Sequence, residues 1–96
     1  KTQKISLGGK HMMLNFVETD VPKGKQCLLD IGNYELSIVQ NEMSYGNKQG
    51  LYEIAVFKDN NQVELPGITA PGDTIKGFLS LNDVRDLIVD MTIQYG

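Results

Sequence analysis

The segment "SLNDVRDLIVDMTIQY" (residues 80–95) carries the strongest structural signal in the chain, and it predicts a helix. Ser80 is a favoured N-cap residue, and Asp83 takes the acidic place of a capping box, in which each side chain binds the backbone amide of the other residue. After the cap, apolar residues recur at spacings of three and four, which places them on one face of a helix. These residues are Leu81, Val84, Leu87, Ile88, Met91 and Tyr95. Threonine and isoleucine near the end have low helix propensity, so we expect tertiary packing to hold the last turn.

The residues before this helix are typical of β-strands separated by turns. In "YELSIVQ" (34–40), three apolar residues alternate with Glu35 and Ser37, as in a strand with one buried face. The turn "DNNQ" (59–62) is rich in residues that tolerate a left-handed backbone. The other strand-like segments are residues 2–9, 10–19, 27–32, 51–58 and 63–65. The sequence therefore predicts an α+β fold, an antiparallel sheet of about five strands with one C-terminal α-helix packed on it.

The size and composition of the chain indicate a single α+β domain that covers residues 1–96. Of the 96 residues, 41% are hydrophobic and 22% are charged, far from the composition of disordered chains. A domain of this size has one hydrophobic core and little interior to spare for a deep cavity. We therefore expect its function to be carried on the surface.

The segment "GITAPGDT" (67–74) resembles a phosphate-binding P-loop at several positions. The matching residues are Gly67, Gly72 and Thr74. Asp73 stands where the motif requires lysine, and the strand-like "IKGFL" (75–79) follows where a helix should begin. We interpret the segment as two turns, Pro66–Gly67 and Pro71–Gly72, with Asp73 capping its own turn. No nucleotide or other cofactor is predicted.

The chain lacks the residues that common catalytic and metal sites require. It has one histidine, His11, and no Gly-x-Ser-x-Gly elbow, so no hydrolase triad is indicated. Cys27 is the one cysteine and lies in an apolar run, where we expect it to be buried. One histidine and one cysteine cannot supply a typical zinc site, and "KDNNQVE" (58–64) lacks the residue order of a calcium loop. We predict a protein that is not an enzyme and binds no metal.

Charge is divided unevenly along the chain, whose net charge is −3. Residues 1–26 carry five lysines against Glu18 and Asp20, a net charge of +3, whereas residues 27–96 carry four basic and ten acidic residues, a net charge of −6. A single arginine and the absence of tryptophan disfavour nucleic-acid binding. No apolar run approaches the roughly 18 residues that span a membrane, and no charged-then-apolar leader opens the chain, so we expect a cytoplasmic protein.

Two features of the sequence suggest contact surfaces. Asp83, Asp86 and Asp90 fall at spacings of three and four, so they form one acidic ridge along the helix. A solvated outer face explains such a ridge, and the helix dipole favours the first two residues, but the dipole does not explain Asp90. Met43 and Tyr45 lie in the polar turn of residues 41–50, either as a contact loop or folded back on the sheet.

These features predict a small non-catalytic protein that binds another protein, as a regulator, inhibitor or adaptor, and acts as a monomer or a homodimer. Its predicted protein-binding residues are Met43, Tyr45, Asp83, Asp86 and Asp90. Its compact acidic design is similar in style to accessory proteins of phages and mobile elements. The alternative is a small-ligand-binding or enzyme-subunit domain whose site forms at an oligomer interface. Its polar groups would be His11, Lys23, Lys25 and the bend Gly67–Asp73.

We expect ATP and GTP, with or without magnesium, to leave the melting temperature of the protein unchanged, because Asp73 faces a polyanion with the wrong charge. A ligand at 100 times its dissociation constant would add about 2.7 kcal/mol of stability, which a thermal-shift assay detects easily in a small domain. A saturable rise in melting temperature that is lost in Thr74→Ala would contradict this interpretation of the bend.

Overall fold

The computed structural model describes residues 2–7 and 9–96, which contain eight β-strands and one α-helix. The elements are β1 (Thr2–Leu7), β2 (Lys10–Asn15), β3 (Val17–Asp20), β4 (Lys23–Ile31), β5 (Tyr34–Asn41), β6 (Tyr52–Lys58), β7 (Asn61–Val63), β8 (Ile75–Leu79) and α1 (Leu81–Tyr95). A short 3-10 helix, Asn47–Gln49, lies between β5 and β6. The predicted α+β fold with a single C-terminal helix is confirmed.

The strands form two antiparallel sheets. β1 and β2 form a two-stranded sheet, and the other six form a sheet in the order β3-β4-β5-β6, with β7 and β8 both pairing with β6. The described chain thus has more strands than the five that the sequence predicts. One reason is that residues 10–19, predicted as one strand, are divided at Phe16 between β2 and β3. Gly8, within the predicted strand-like segment of residues 2–9, lies outside the described residues.

The core lies between the six-stranded sheet and α1. Residues of β4, β5 and β6 that stand directly opposite one another form rows on the face toward the helix. The rows are Cys27, Ile38 and Ile54, and Leu29, Leu36 and Val56. From α1, the residues Val84, Leu87, Ile88 and Met91 are buried against them. The helix also contacts β1 and β8, so it closes one face of the molecule.

One residue of β5 departs from the predicted alternation. Ser37 was expected on the exposed face with Glu35, but it is only 4% exposed. Ser37 stands between Leu28 of β4 and Ala55 of β6, and its Oγ accepts from the Gln26 side-chain amide at 3.0 Å. The alternation of the backbone is kept, and the burial comes from a cross-strand contact that the sequence does not show.

Both ends of α1 are fixed as the sequence predicts. At the start, the Asp83 amide donates to Ser80 Oγ at 3.0 Å, and the Ser80 amide donates to Asp83 Oδ2 at 2.9 Å. At the end, the Tyr95 hydroxyl donates to the Pro66 carbonyl at 2.8 Å, and the Tyr95 ring meets the edge of Tyr34 with centroids 5.6 Å apart. Tertiary contacts therefore hold the last turn, where helix propensity is low.

The bend of residues 67–74 connects β7 to a strand and not to a helix, because β8 begins directly after Thr74. The Gly72 amide donates to Glu64 Oε2 at 2.8 Å, and Asp73 Oδ1 accepts the Thr74 amide at 2.7 Å, which confirms that Asp73 caps its own turn. The carboxylate of Glu64 thus already accepts a hydrogen bond from a backbone amide of this bend.

We expect Ser80→Ala to cost about 0.5–2 kcal/mol of unfolding free energy, because it removes one half of the capping box. Leu87→Ala should cost about 2–5 kcal/mol, because Leu87 is 7% exposed and its truncation leaves a cavity under the helix. Urea denaturation measures both values. Asn82→Ala, at an exposed position of the same turn, is the matched control and should change the stability little. Equal, negligible losses in all three variants would contradict the packing of α1.

Candidate protein-binding surface

Helix α1 and strand β8 border an open groove that brings the three predicted acidic residues together. Asp83, Asp86 and Asp90 all line it, and Lys76 is the cationic residue among those that line it. The remaining lining residues are Gly67, Gly77, Phe78, Leu79 and Leu87. The groove has a volume of about 400 Å³. We call it the acidic groove.

The three carboxylates of the acidic groove differ in what they already bind. Asp83 is engaged in the capping box with Ser80. Asp86 accepts from the Arg85 guanidinium, at 3.1 Å from Nε and 2.8 Å from Nη2, while its side chain stays 65% exposed. The side chain of Asp90 is exposed and has no hydrogen bond or ion pair within the described part of the chain. Asp90 and Asp86 are therefore the charges most available to a partner.

The capping box lowers the pKa of Asp83. The main cause is the hydrogen bond from the Ser80 backbone, followed by the bond with the Ser80 side chain, and the positive charge of Lys76 adds a smaller effect. Because the pKa is lower in the folded chain than in the unfolded chain, the carboxylate stabilises the fold above its ordinary pKa. That contribution is lost as the pH falls through the lowered value. Asp83 thus has a structural task in addition to its place in the groove.

Tyr45 lies on the edge of strand β8. Its amide donates to Glu53 Oε1 at 2.9 Å, and its carbonyl accepts from the Phe78 amide at 3.4 Å. Its ring stacks on the Phe78 ring, with centroids 6.2 Å apart and planes inclined by 27°. Tyr45 nevertheless remains 57% exposed and Phe78 58% exposed. The loop folds back on the sheet, and it still presents a large aromatic surface to solvent. We call the two residues the aromatic pair.

Met43 lies outside this surface. It is 78% exposed, and its amide donates to Asn41 Oδ1 at 2.9 Å in the turn after β5. It lines neither the acidic groove nor the groove of about 260 Å³ that Tyr45 borders. Of the two turn residues that the sequence grouped, only Tyr45 borders one of these grooves.

Phe78 is the residue of this surface that the sequence analysis missed. It lines both the acidic groove and the groove beside Tyr45, so it joins two features that the sequence predicted separately. A signal was present, because an aromatic residue follows Gly77 in a short edge strand, and a glycine inside a strand often marks a bulge.

A β-bulge in β8 fixes the aromatic pair. The register between β6 and β8 shifts by one residue, so Glu53 stands opposite both Gly77 and Phe78. Phe78 takes a left-handed backbone with a φ of 57°, a conformation that costs a bulky residue about 1–3 kcal/mol. A Cβ atom on Gly77 would lie 2.5 Å from Tyr45 Cβ, so only glycine allows the loop to pack this closely. Strain of this kind is concentrated at binding and catalytic sites.

The residues of the alternative ligand-site hypothesis lie on separate elements. His11 is exposed on β2, in the two-stranded sheet, whereas Lys23 and Lys25 lie in β4 of the six-stranded sheet. Lys25 Nζ lies 4.9 Å from the centroid of the Phe16 ring, in a cation–π contact. The bend Gly67–Asp73 follows β7, at the other edge of that sheet. A single chain does not bring these groups into one cluster.

Cys27 is 2% exposed, which confirms its predicted burial. Burial raises the pKa of the Cys27 thiol, and a hydrogen bond with the Asn15 backbone opposes this effect only in part. The thiolate is therefore disfavoured, and the side chain packs as a small apolar group.

Residues 2–7 and 9–96 hold no group of three or more His, Cys, Asp or Glu residues that could bind a metal ion. They also hold no helix with the length and hydrophobicity that a bilayer crossing requires.

Comparison of the chain with protein-family models, with curated proteins and with solved structures gives no match.

We expect Phe78→Asn to leave the unfolding free energy within about 1 kcal/mol of the wild-type value. Asparagine tolerates the left-handed backbone, so the substitution relieves about 1–2 kcal/mol of strain while it removes a ring contact worth about 0.5–1.5 kcal/mol. Tyr45→Ala is the matched variant, because it removes the same ring contact and leaves the strain in place. Urea denaturation of both should show Tyr45→Ala as the less stable protein. The reverse order would show that the Phe78 backbone is not strained.

Proposed function

We propose that this chain is a small non-catalytic protein that binds another protein through the acidic groove and the aromatic pair, as a regulator, inhibitor or adaptor. The observation that carries the proposal is the position of Phe78, an exposed aromatic residue with a strained backbone that belongs to the aromatic pair and also lines the acidic groove. Strain and exposure both oppose folding, so a binding role gives a physical reason for their occurrence at one residue.

The aromatic pair is suited to anchor a partner. Tyrosine and phenylalanine bury a large area and lose little side-chain entropy on binding, and they are enriched at the centres of protein interfaces. The contacts of Tyr45 with Glu53 and Phe78 already hold its backbone in place. A partner would therefore meet two rings that need little further ordering.

The acidic groove supports a partner with a basic surface. Asp90 has no ion-pair partner in the described part of the chain, and Asp86 is paired only with the adjacent Arg85. Exposed charges of one sign accelerate the encounter with a surface of opposite sign and fix its orientation. The groove thus favours steering of a basic partner toward the aromatic pair.

The alternative, a small-ligand or enzyme-subunit site, needs a second subunit to bring its residues together. Lys23 and Lys25 do line one groove of about 390 Å³, but Glu18 and Asp20 line it too and offset their charge. We therefore favour protein binding. We further propose that the protein acts in the cytoplasm, as a monomer or a homodimer. Light scattering after size-exclusion chromatography separates these two oligomeric states.

The partner can be sought by affinity purification from the native host with two matched baits. One bait is the wild-type chain, and the other carries Tyr45→Ala and Phe78→Ala, which remove both rings from exposed positions. A protein retained by the first bait and lost from the second is the expected result. Identical sets of retained proteins would remove the aromatic pair from the proposed interface.

With that partner in hand, we expect the two features to act on different rate constants. Asp86→Lys combined with Asp90→Lys should slow association and change its salt dependence, because steering acts before contact. Tyr45→Ala should speed dissociation, at a cost of about 2 kcal/mol or more if it is a hot spot, because an anchor acts after contact. Surface-plasmon kinetics measure both constants.

Met43→Ala is the control for these kinetics, because Met43 is exposed and lies outside both grooves. The double lysine variant should keep its unfolding free energy, since exposed charges contribute little to stability. Unchanged rate constants in all variants would refute the proposed interface and direct attention to the lysine-bearing strands β2 and β4.

A further inference from the structure

Along half of its length, strand β4 has an edge with which no described strand pairs, although β2 contacts β4; we call it the open edge. On one side, β5 pairs with β4 from Gly24 to Ile31. On the other side, β3 pairs only with residues 23–26, and its first residue, Val17, stands opposite Gln26. Leu28 and Asp30 therefore have no strand partner on the β3 side within the described part of the chain.

The main-chain groups of Leu28 and Asp30 point toward this open side. Both the amide and the carbonyl of Lys23 bind Glu42, which follows β5. Successive residues of an antiparallel strand direct their main-chain groups to opposite sides, and the register of β4 with β5 is continuous. Odd-numbered residues of β4 thus face β5, and even-numbered residues face away. Two amides and two carbonyls are spaced to pair with another extended chain.

An apolar groove of about 330 Å³ runs beside this edge, on the flank of α1 opposite the acidic groove. Its wall on the helix includes Val89 and Ile93, which are 37% and 77% exposed. The other apolar lining residues are Met12, Leu29, Ile31 and Ile88. The side chains on one face of an added strand would pack here.

The other face of the same edge is acidic. Asp30 and Glu35 stand directly opposite each other in β4 and β5, an arrangement that is unfavourable for like charges. With Asp59, they line a further groove of about 250 Å³, and no lysine or arginine is among its lining residues. A cation on the other face of an added strand would reduce this repulsion.

From the open edge, the apolar groove and the acidic face, we infer that β4 binds an extended segment of another protein by strand addition, and that the segment alternates apolar residues with lysine or arginine. Alternate side chains of a strand lie on opposite faces, so the apolar ones reach the groove beside Ile93 and the basic ones reach Asp30 and Glu35. Main-chain pairing supplies affinity, and this alternation supplies specificity. A second copy paired edge to edge would instead leave the acidic faces of both copies without a cation.

The test uses a fluorescein-labelled peptide of alternating valine and lysine, ten residues long. We expect saturable binding by fluorescence anisotropy. A peptide with glutamate in place of lysine, and one of the same composition with valines and lysines in separate blocks, should both bind at least about tenfold more weakly. A third peptide, methylated on alternate amide nitrogens, should lose binding because it cannot pair with the edge.

Hydrogen exchange followed by NMR reports on the edge directly. The amides of Leu28 and Asp30 should exchange much faster than those of Cys27 and Leu29 in the free protein, and the peptide should slow them. Val89→Ala combined with Ile93→Ala should weaken binding about tenfold or more, and Asp30→Asn should reduce its salt dependence. Tyr45→Ala should leave the peptide affinity unchanged, so this surface can fail or succeed independently of the proposed interface around Phe78.

Three results would overturn the inference. Slow exchange of Leu28 and Asp30 in the free protein would mean that the edge is already paired, within the chain or in a dimer. Equal binding of the alternating and block peptides would mean attraction by charge alone. Binding that leaves the two amides unprotected, or no binding at millimolar peptide, would exclude strand addition.

Discussion

The packing of α1 on the six-stranded sheet is the interaction on which the rest of the structure depends. Four residues of β5 and β6, namely Leu36, Ile38, Ile54 and Val56, are completely buried under it, as are Val84 and Met91 of the helix. Each such side chain contributes about 1.5–3 kcal/mol when it leaves water. A 15-residue helix is marginal alone, and a sheet with one uncovered apolar face would aggregate, so each element requires the other.

This packing also explains how an unfavourable feature persists at the surface. Phe78 takes a left-handed backbone directly before Leu79, which is 5% exposed, and the capping box at Ser80 begins the helix next in the chain. On the C-terminal side of the bulge, the buried Leu79 and the capping box fix the chain. On the N-terminal side, the pairing of β8 with β6 fixes it. The strain is therefore offset by the core, and the exposed rings keep one geometry.

The helix divides the surface into two regions with different chemistry. On one flank, Asp86 and Asp90 border the acidic groove, and on the other, Val89 and Ile93 border the apolar groove beside the open edge of β4. The proposed partner of the first region would present a basic surface and contact the two rings. The proposed partner of the second would present an extended backbone with alternating side chains. The two proposals therefore imply different classes of binding segment and can be tested separately.

The sequence by itself determined the α+β class, the limits and apolar face of α1, the cap at Ser80, the burial of Cys27 and the acidic ridge. These features follow from local spacing, which the primary structure contains in full. Only the tertiary structure decided that residues 10–19 divide at Phe16 between two sheets, that Ser37 is buried and bound to Gln26, and that Phe78 connects Tyr45 to the acidic groove. Each of these depends on strand register, and register is set by contacts between residues far apart in the chain, which no local pattern encodes.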